Sequence, residues 1–217
     1  LGGARLVSLD GRAGSGKTTL GNQLAATARG RGVDTALVHL DDTYDGWEGL
    51  PGLAPRLLAD LFTPLAEGAP GRTQRYDWGA GRFDGWIDVP GPELLIVEGV
   101  GAGHRAFDAF RSLLVWVECP AELCLTRGIA RDGIDLLPQW EAWREAEAAY
   151  FTEQYLPGRA DIVVLVRDLK AAANFAEQTL GNWSAASQKQ TASLAWGHLE
   201  KINTNILTSS LVIVPTS

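Results

Sequence analysis

Five stretches of the chain are apolar almost without interruption: Arg5–Asp10, Thr35–Leu40, Leu94–Val97, Leu113–Glu118 and Asp161–Val166. A strand with one wet face alternates apolar and polar side chains; these do not, so both of their faces must be covered. Between them, apolar residues recur at helical spacing, as at Leu20, Leu24 and Ala28. The pattern predicts an α/β fold with a five-stranded parallel sheet and helices on both faces. Ligands of such sheets gather outside the carboxyl ends of the strands, so the residues that follow each strand are the ones to read for chemistry.

After the first strand comes GRAGSGKTT, residues 11 to 19. Gly11, Gly16, Lys17 and Thr18 match G-x-x-x-x-G-K-[ST], and the strand before and helix after are the context that this motif needs. Gly14 adds a flexible position, and Ser15 completes the loop. Glycines let several backbone N–H groups turn inward, and the helix N-terminus adds positive potential, so the loop forms an anion cradle. Lys17 is placed for the β- and γ-phosphates, the Thr18 hydroxyl for Mg²⁺ and Thr19 for an inner phosphate. The cofactors expected are ATP and Mg²⁺, in a P-loop NTPase fold.

Two further strands end in acids. Asp41-Asp42-Thr43-Tyr44 follows the second and Glu98-Gly99 the third, which puts phosphate loop and carboxylates on one edge of the sheet, as metal-assisted phosphoryl transfer requires. An Asp at a strand end also starts turns or caps helices, and that reading stays open for Asp41 and Asp42. A carboxylate directly after LLIV must be solvated, paired or bound to metal, so Glu98 is a candidate for Mg²⁺ or a metal-bound water. His39, inside an apolar strand, reads as a satisfied core residue, and Trp140 and Trp143 at helical spacing read as packing.

Composition narrows the partners. A net charge of −7 argues against general affinity for a nucleic acid backbone. No apolar run approaches a membrane span and no leader pattern is visible. Cys119 and Cys124 lack metal-ligand spacing, and the expectation is packing residues in a reducing cytoplasm. The oligomeric state leaves no mark in the sequence. Composition also breaks along the chain. Every arginine lies between Arg5 and Arg167, while residues 168 to 217 use Lys170, Lys189 and Lys201; Asn22 stands alone before the break and Asn174, Asn182, Asn203 and Asn205 follow it. A catalytic domain over 1–167 and a distinct tail over 168–217 are expected. The tail's polar middle reads as a polar helix or disorder, and its terminal LVIV as a strand or an exposed apolar end.

GRAGSGKTT, LDDTY, RYDW, LLIVEG and TRGIARDG together resemble the P-loop uridine kinase and nicotinamide riboside kinase group, especially short uridine kinase-like proteins of high-GC bacteria, over about residues 5 to 167. The resemblance implies a nucleoside/nucleotide kinase-like fold and a phosphotransferase with an alcohol acceptor. The γ-phosphoryl of ATP would pass to a small-molecule hydroxyl, most simply the 5′-hydroxyl of a uridine- or cytidine-like nucleoside. It puts the general base on Asp41, an aromatic beside the substrate on Tyr44 and a ribose-binding acid on Asp77. Arg75 is a candidate for the substrate or for pairing with Asp77, and Trp78 for stacking on a base. By the same resemblance 121–135 is a lid that carries Arg127 and Arg131 over the transferring phosphoryl, with Gly128 and Gly133 letting it move; a merely solvated surface helix is the alternative. The long nucleoside-binding hairpin of well-known uridine kinases is not read between Tyr44 and Arg75. A second function class also fits the loop and Glu98: a nucleotide-dependent switch that hydrolyses slowly and acts through a partner. Such a switch needs neither Asp41, Asp77 nor the lid.

Overall fold

The computed structural model describes residues 1–166 and the backbone of 213–215. Five parallel strands form the sheet: β1 (Arg5–Asp10), β2 (Thr35–His39), β5 (Leu94–Glu98), β6 (Arg111–Glu118) and β7 (Ile162–Leu165). A sixth, β8 (Ile213–Pro215), pairs antiparallel with β7, giving the order β2-β5-β1-β6-β7-β8. The terminal apolar segment thus contributes a strand; the rest of the expected tail lies outside the described residues. Pro215 cannot donate to a ladder, and an edge strand is where it is tolerated.

The uninterrupted apolar strands are explained by two cores. Alternate side chains of one strand enter opposite layers: Leu95 and Val97 of β5 join one, Leu94 and Ile96 the other. Helix α1 (Lys17–Gly30) covers the second layer with Leu20, Leu24, Ala25 and Ala28. The first is covered by α2 (Leu50–Leu57), which continues through a π turn (Leu58–Phe62) into α3 (Thr63–Ala66), and by Trp143, Tyr150 and Phe151 of α5 (Leu137–Glu153).

A separate antiparallel hairpin, β3 (Gly71–Asp77) with β4 (Arg82–Val89), stands beyond the sheet. Gln74 pairs with Trp86 and Tyr76 with Phe83, so β4 carries an extra residue here, and Gly85 at φ 88° supplies the backbone that such a bulge needs. The last element, α4 (Ala121–Asp132), joins β6 to α5. Among the described residues no helix is long and apolar enough to cross a membrane.

Candidate active site

Strand register decides what meets at the sheet's carboxyl edge. β5 lies between β2 and β1, with Glu98 level with His39 on one side and Leu9 on the other. Glu98 is 2 % exposed, and its Oε1 receives the Thr18 hydroxyl at 3.0 Å and meets His39 Nδ1 at 2.6 Å. That bond to the carboxylate holds the imidazole's pKa above its ordinary value against the opposing effect of burial. His39 is therefore more than a core residue: it clamps the acid at the edge. Gly21 makes room for this group, since a Cβ there would stand 3.2 Å from Glu98 Cγ.

The phosphate loop is shaped by close backbone approaches. A Cβ on Gly11 would lie 2.4 Å from the Val117 carbonyl oxygen and one on Gly14 2.4 Å from that of Cys124; Gly16 takes φ 99° as it opens α1. Lys17 bends back so that Nζ donates to the carbonyls of Gly11 and Arg12, each at 2.9 Å. Thr18 and Thr19 are exposed at the helix start, while the Ser15 hydroxyl is buried without a partner among the described residues. These features fit a polyphosphate. They also fit Mg²⁺, because Thr18 and Glu98 bring hard oxygen donors together, and this ion takes few protein ligands when phosphates supply the rest. Among the described residues no cluster of three or more His, Cys, Asp or Glu side chains could cage a metal unaided.

Two buried acids behind the loop were not singled out from the sequence. Asp10 is fully buried; its Oδ1 accepts from Gly11 N (2.7 Å), and its Oδ2 from Gly101 N (3.2 Å), Gly103 N (2.7 Å) and the Tyr150 hydroxyl (2.8 Å). Burial raises its pKa, although the bonds from Gly103, Tyr150 and Gly11 and the charge of Lys17 oppose the rise. Glu147 of α5 accepts from Ala13 N at 2.9 Å and is likewise raised by burial, with the Ala13 bond and the charges of Lys17 and Arg12 opposing. A signal for Asp10 existed: a carboxylate closing an apolar strand, the same pattern that marked Glu98. Glu147 shares its helical face with Trp143 and Tyr150 and looks like packing until the loop is seen beside it.

Asp41 follows β2 in a short 3₁₀ turn. Its side chain reaches solvent, yet protein atoms crowd around it. This desolvation pushes its pKa up, and Glu98 and Asp42 add to the rise while Lys17 and Arg131 oppose it. Tyr44, in contrast, is 2 % exposed: its hydroxyl donates to the Val100 carbonyl at 2.7 Å and its ring packs on Trp143. The hairpin reaches Asp41 through Trp78, whose indole N–H donates to the Asp41 carbonyl at 2.9 Å. Asp77 Oδ1 is occupied with the hairpin turn, accepting from Gly79 N and Ala80 N at 2.8 and 2.9 Å. Arg75 is exposed, opposite the bulge, without an ion pair among the described residues. An aromatic group runs along this side: Trp47 has ring centroids 5.6 Å from Trp78, 6.0 Å from Trp140 and 6.2 Å from Trp143. Trp47 had no periodic context in the sequence that would have marked it.

On α4 the two arginines part company. Arg127 Nη1 lies 3.5 Å from Cys119 Sγ, and Arg131 forks onto Asp132. Cys119 and Cys124 are both buried free thiols, as packing residues should be; burial and its neighbour push Cys124 up to about 12. Gly128 serves packing, since a Cβ there would meet the Trp140 ring at 2.3 Å. That close fit replaces the expectation that it loosens the helix.

No protein-family model and no curated protein sequence matches the chain. Among solved structures it is similar to a possible uridine kinase from Bacillus stearothermophilus, at 23 % identity and a TM-score of 0.57, covering 75 % of this chain and 89 % of that one. It is also similar to shikimate kinase from Acinetobacter baumannii in complex with shikimate, at 20 % identity and a TM-score of 0.48, covering 86 % and 96 %. Sheet order, loop and likeness agree on the fold, which is that of the α/β P-loop NTPases.

Proposed function

We propose that the chain is an ATP-dependent small-molecule kinase that transfers the γ-phosphoryl of ATP to a hydroxyl, the 5′-hydroxyl of a uridine- or cytidine-like nucleoside being the leading acceptor. The observation that carries this is the place of Asp41: a carboxyl of raised proton affinity at the sheet's carboxyl edge, within the field of Lys17 of the phosphate loop, and tied through its backbone to an aromatic-walled hairpin. A switch has no use for such a group. The solved kinase structures lend support through the fold alone.

In the reaction, Asp41 takes the proton of the acceptor hydroxyl as its oxygen bonds to the γ-phosphorus, and the bond from that phosphorus to the β–γ bridging oxygen breaks to release ADP. Lys17 and the loop amides hold the β- and γ-phosphates. Thr18 and Glu98 would hold Mg²⁺, which when bound neutralises charge on the phosphate oxygens. Arg127 and Arg131 are the candidate cations over the transferring group. Tyr44, Arg75, Asp77 and Trp78 border the acceptor side, where Tyr44 has only its ring to offer.

The test is a panel of nucleosides and small alcohols with ATP and Mg²⁺, scored for ADP and phosphorylated product, followed by Asp41→Asn on the best acceptor. General-base assistance is worth about 10² to 10⁴ in rate, so phosphorylation should fall by that factor while ATP affinity holds. Slow hydrolysis of ATP with no acceptor phosphorylated would favour the switch.

A further inference from the structure

Arg131, a candidate cation whose charge is felt at Asp41, is engaged by its own neighbour. Nε and Nη2 bond Asp132 Oδ1 and Oδ2 at 2.6 and 2.9 Å, a two-pronged grip on a carboxylate. The two partners are unequally held. The Asp132 side chain is 20 % exposed, and its Oδ2 also accepts from the indole N–H of Trp140 at 3.1 Å. Trp140 is itself buried with its ring packed close on Gly128, so the carboxylate is anchored where α4 meets α5. Arg131 is 61 % exposed and held by the carboxylate and a distant ring face, 5.9 Å from its centroid. The carboxylate is the better anchored of the two, and the cation the more exposed.

We propose that Asp132 is a latch that competes with the nucleotide's phosphates for Arg131 and thereby sets nucleotide affinity. This rests on the proposed function, in which the loop is an ATP site and Arg131 a cation over its phosphates. An exposed pair is worth little, so a polyphosphate can displace it, but the competition must be overcome each time the nucleotide binds. Asp132 acts through Arg131 and is a positioning residue.

Asp132→Asn keeps an oxygen for the Trp140 N–H and removes the charge. Calorimetric titration with ADP and with a non-hydrolysable ATP analogue, both with Mg²⁺, should show binding tightened by about two- to fivefold, the worth of an exposed pair. A merely structural role would weaken binding. In an Arg131→Ala background the same substitution should give no tightening. The latch is overturned if folded Asp132→Asn binds no more tightly than wild type, or if the tightening persists without Arg131. Should Asp132→Asn fail to fold, Trp140→Phe, which loosens the carboxylate by removing its indole donor, must move affinity in the same direction. Lys17→Ala separates the two readings. ADP binding that survives it sinks the phosphate-loop assignment and the latch together; loss of binding there, with no gain in Asp132→Asn, sinks the latch alone.

Discussion

Asp10 shows how one side chain can tie a site together. Four donors converge on it from the loop after β1, the loop after β5 and α5; the Tyr150 hydroxyl could turn to accept, but each carboxylate oxygen also faces a backbone N–H, of Gly11 on one side and of Gly101 and Gly103 on the other, which cannot accept a hydrogen bond from a side-chain amide. Asp10→Asn must therefore set its NH₂ against a donor. The expected loss is about 1–3 kcal/mol of unfolding free energy in urea, the cost of an unsatisfied buried group; an unchanged midpoint would show that the network rearranges freely. Glu147 gives a pH prediction. Its pKa is raised from an ordinary 4.5, mainly by burial, so the folded chain binds its proton more tightly than the unfolded one. The stability it contributes is complete below 4.5 and is lost as pH rises through the raised value. Glu147→Gln can still accept from Ala13 N. The variant should match wild type at low pH and be the more stable at neutral pH, and a gap that closes or reverses on raising pH would contradict this.

At the scale of elements, α4 and α5 behave as one unit because an indole lies where a side chain would be. Gly128→Ala would drive a methyl to 2.3 Å from the Trp140 ring, and overpacking of this kind costs about 1–3 kcal/mol. Thermal unfolding checks it: the variant should melt earlier, and an unaltered midpoint would mean that the helix pair slides at no cost. The same comparison separates what could be read in the sequence from what could not. The five core strands are legible because burial on both faces leaves uninterrupted apolar runs, and their ends locate Lys17, Thr18, Asp41 and Glu98. The hairpin is not legible: Arg72, Arg75 and Asp77 are exposed on β3, so its pattern is that of a solvated loop, and the bulge at Gly85 breaks the alternation on β4. The clamp of His39 on Glu98 required strand order, because β2 and β5 are far apart in the chain and only register makes them neighbours. Trp140 and Trp143 are packing residues as their spacing suggests, but the group they enter also includes Trp47 and reaches the exposed Trp78.

For the whole molecule, we propose that the catalytic unit ends near residue 167, since the phosphate loop, the five parallel strands and every candidate site residue precede that point. A chain truncated after Arg167 should unfold cooperatively and still bind ADP. It should also self-associate more readily, because losing β8 bares the outer edge of β7. Light scattering against concentration measures the second effect, and an insoluble or non-cooperative product would mean that the later residues belong to the core. The row of indoles has a bearing on how any of these changes can be watched. Trp78 comes from the hairpin, Trp47 from the segment before α2, and Trp140 and Trp143 from α5, so two separately built parts bring their chromophores within 5.6–6.2 Å of Trp47 on a third. Asymmetric packing of this kind produces near-ultraviolet circular dichroism that disappears when side-chain packing is lost but secondary structure remains. The molecule thus carries its own optical gauge of whether the hairpin and α5 are seated against the segment before α2, readable without a label and separately from the far-ultraviolet signal of the helices.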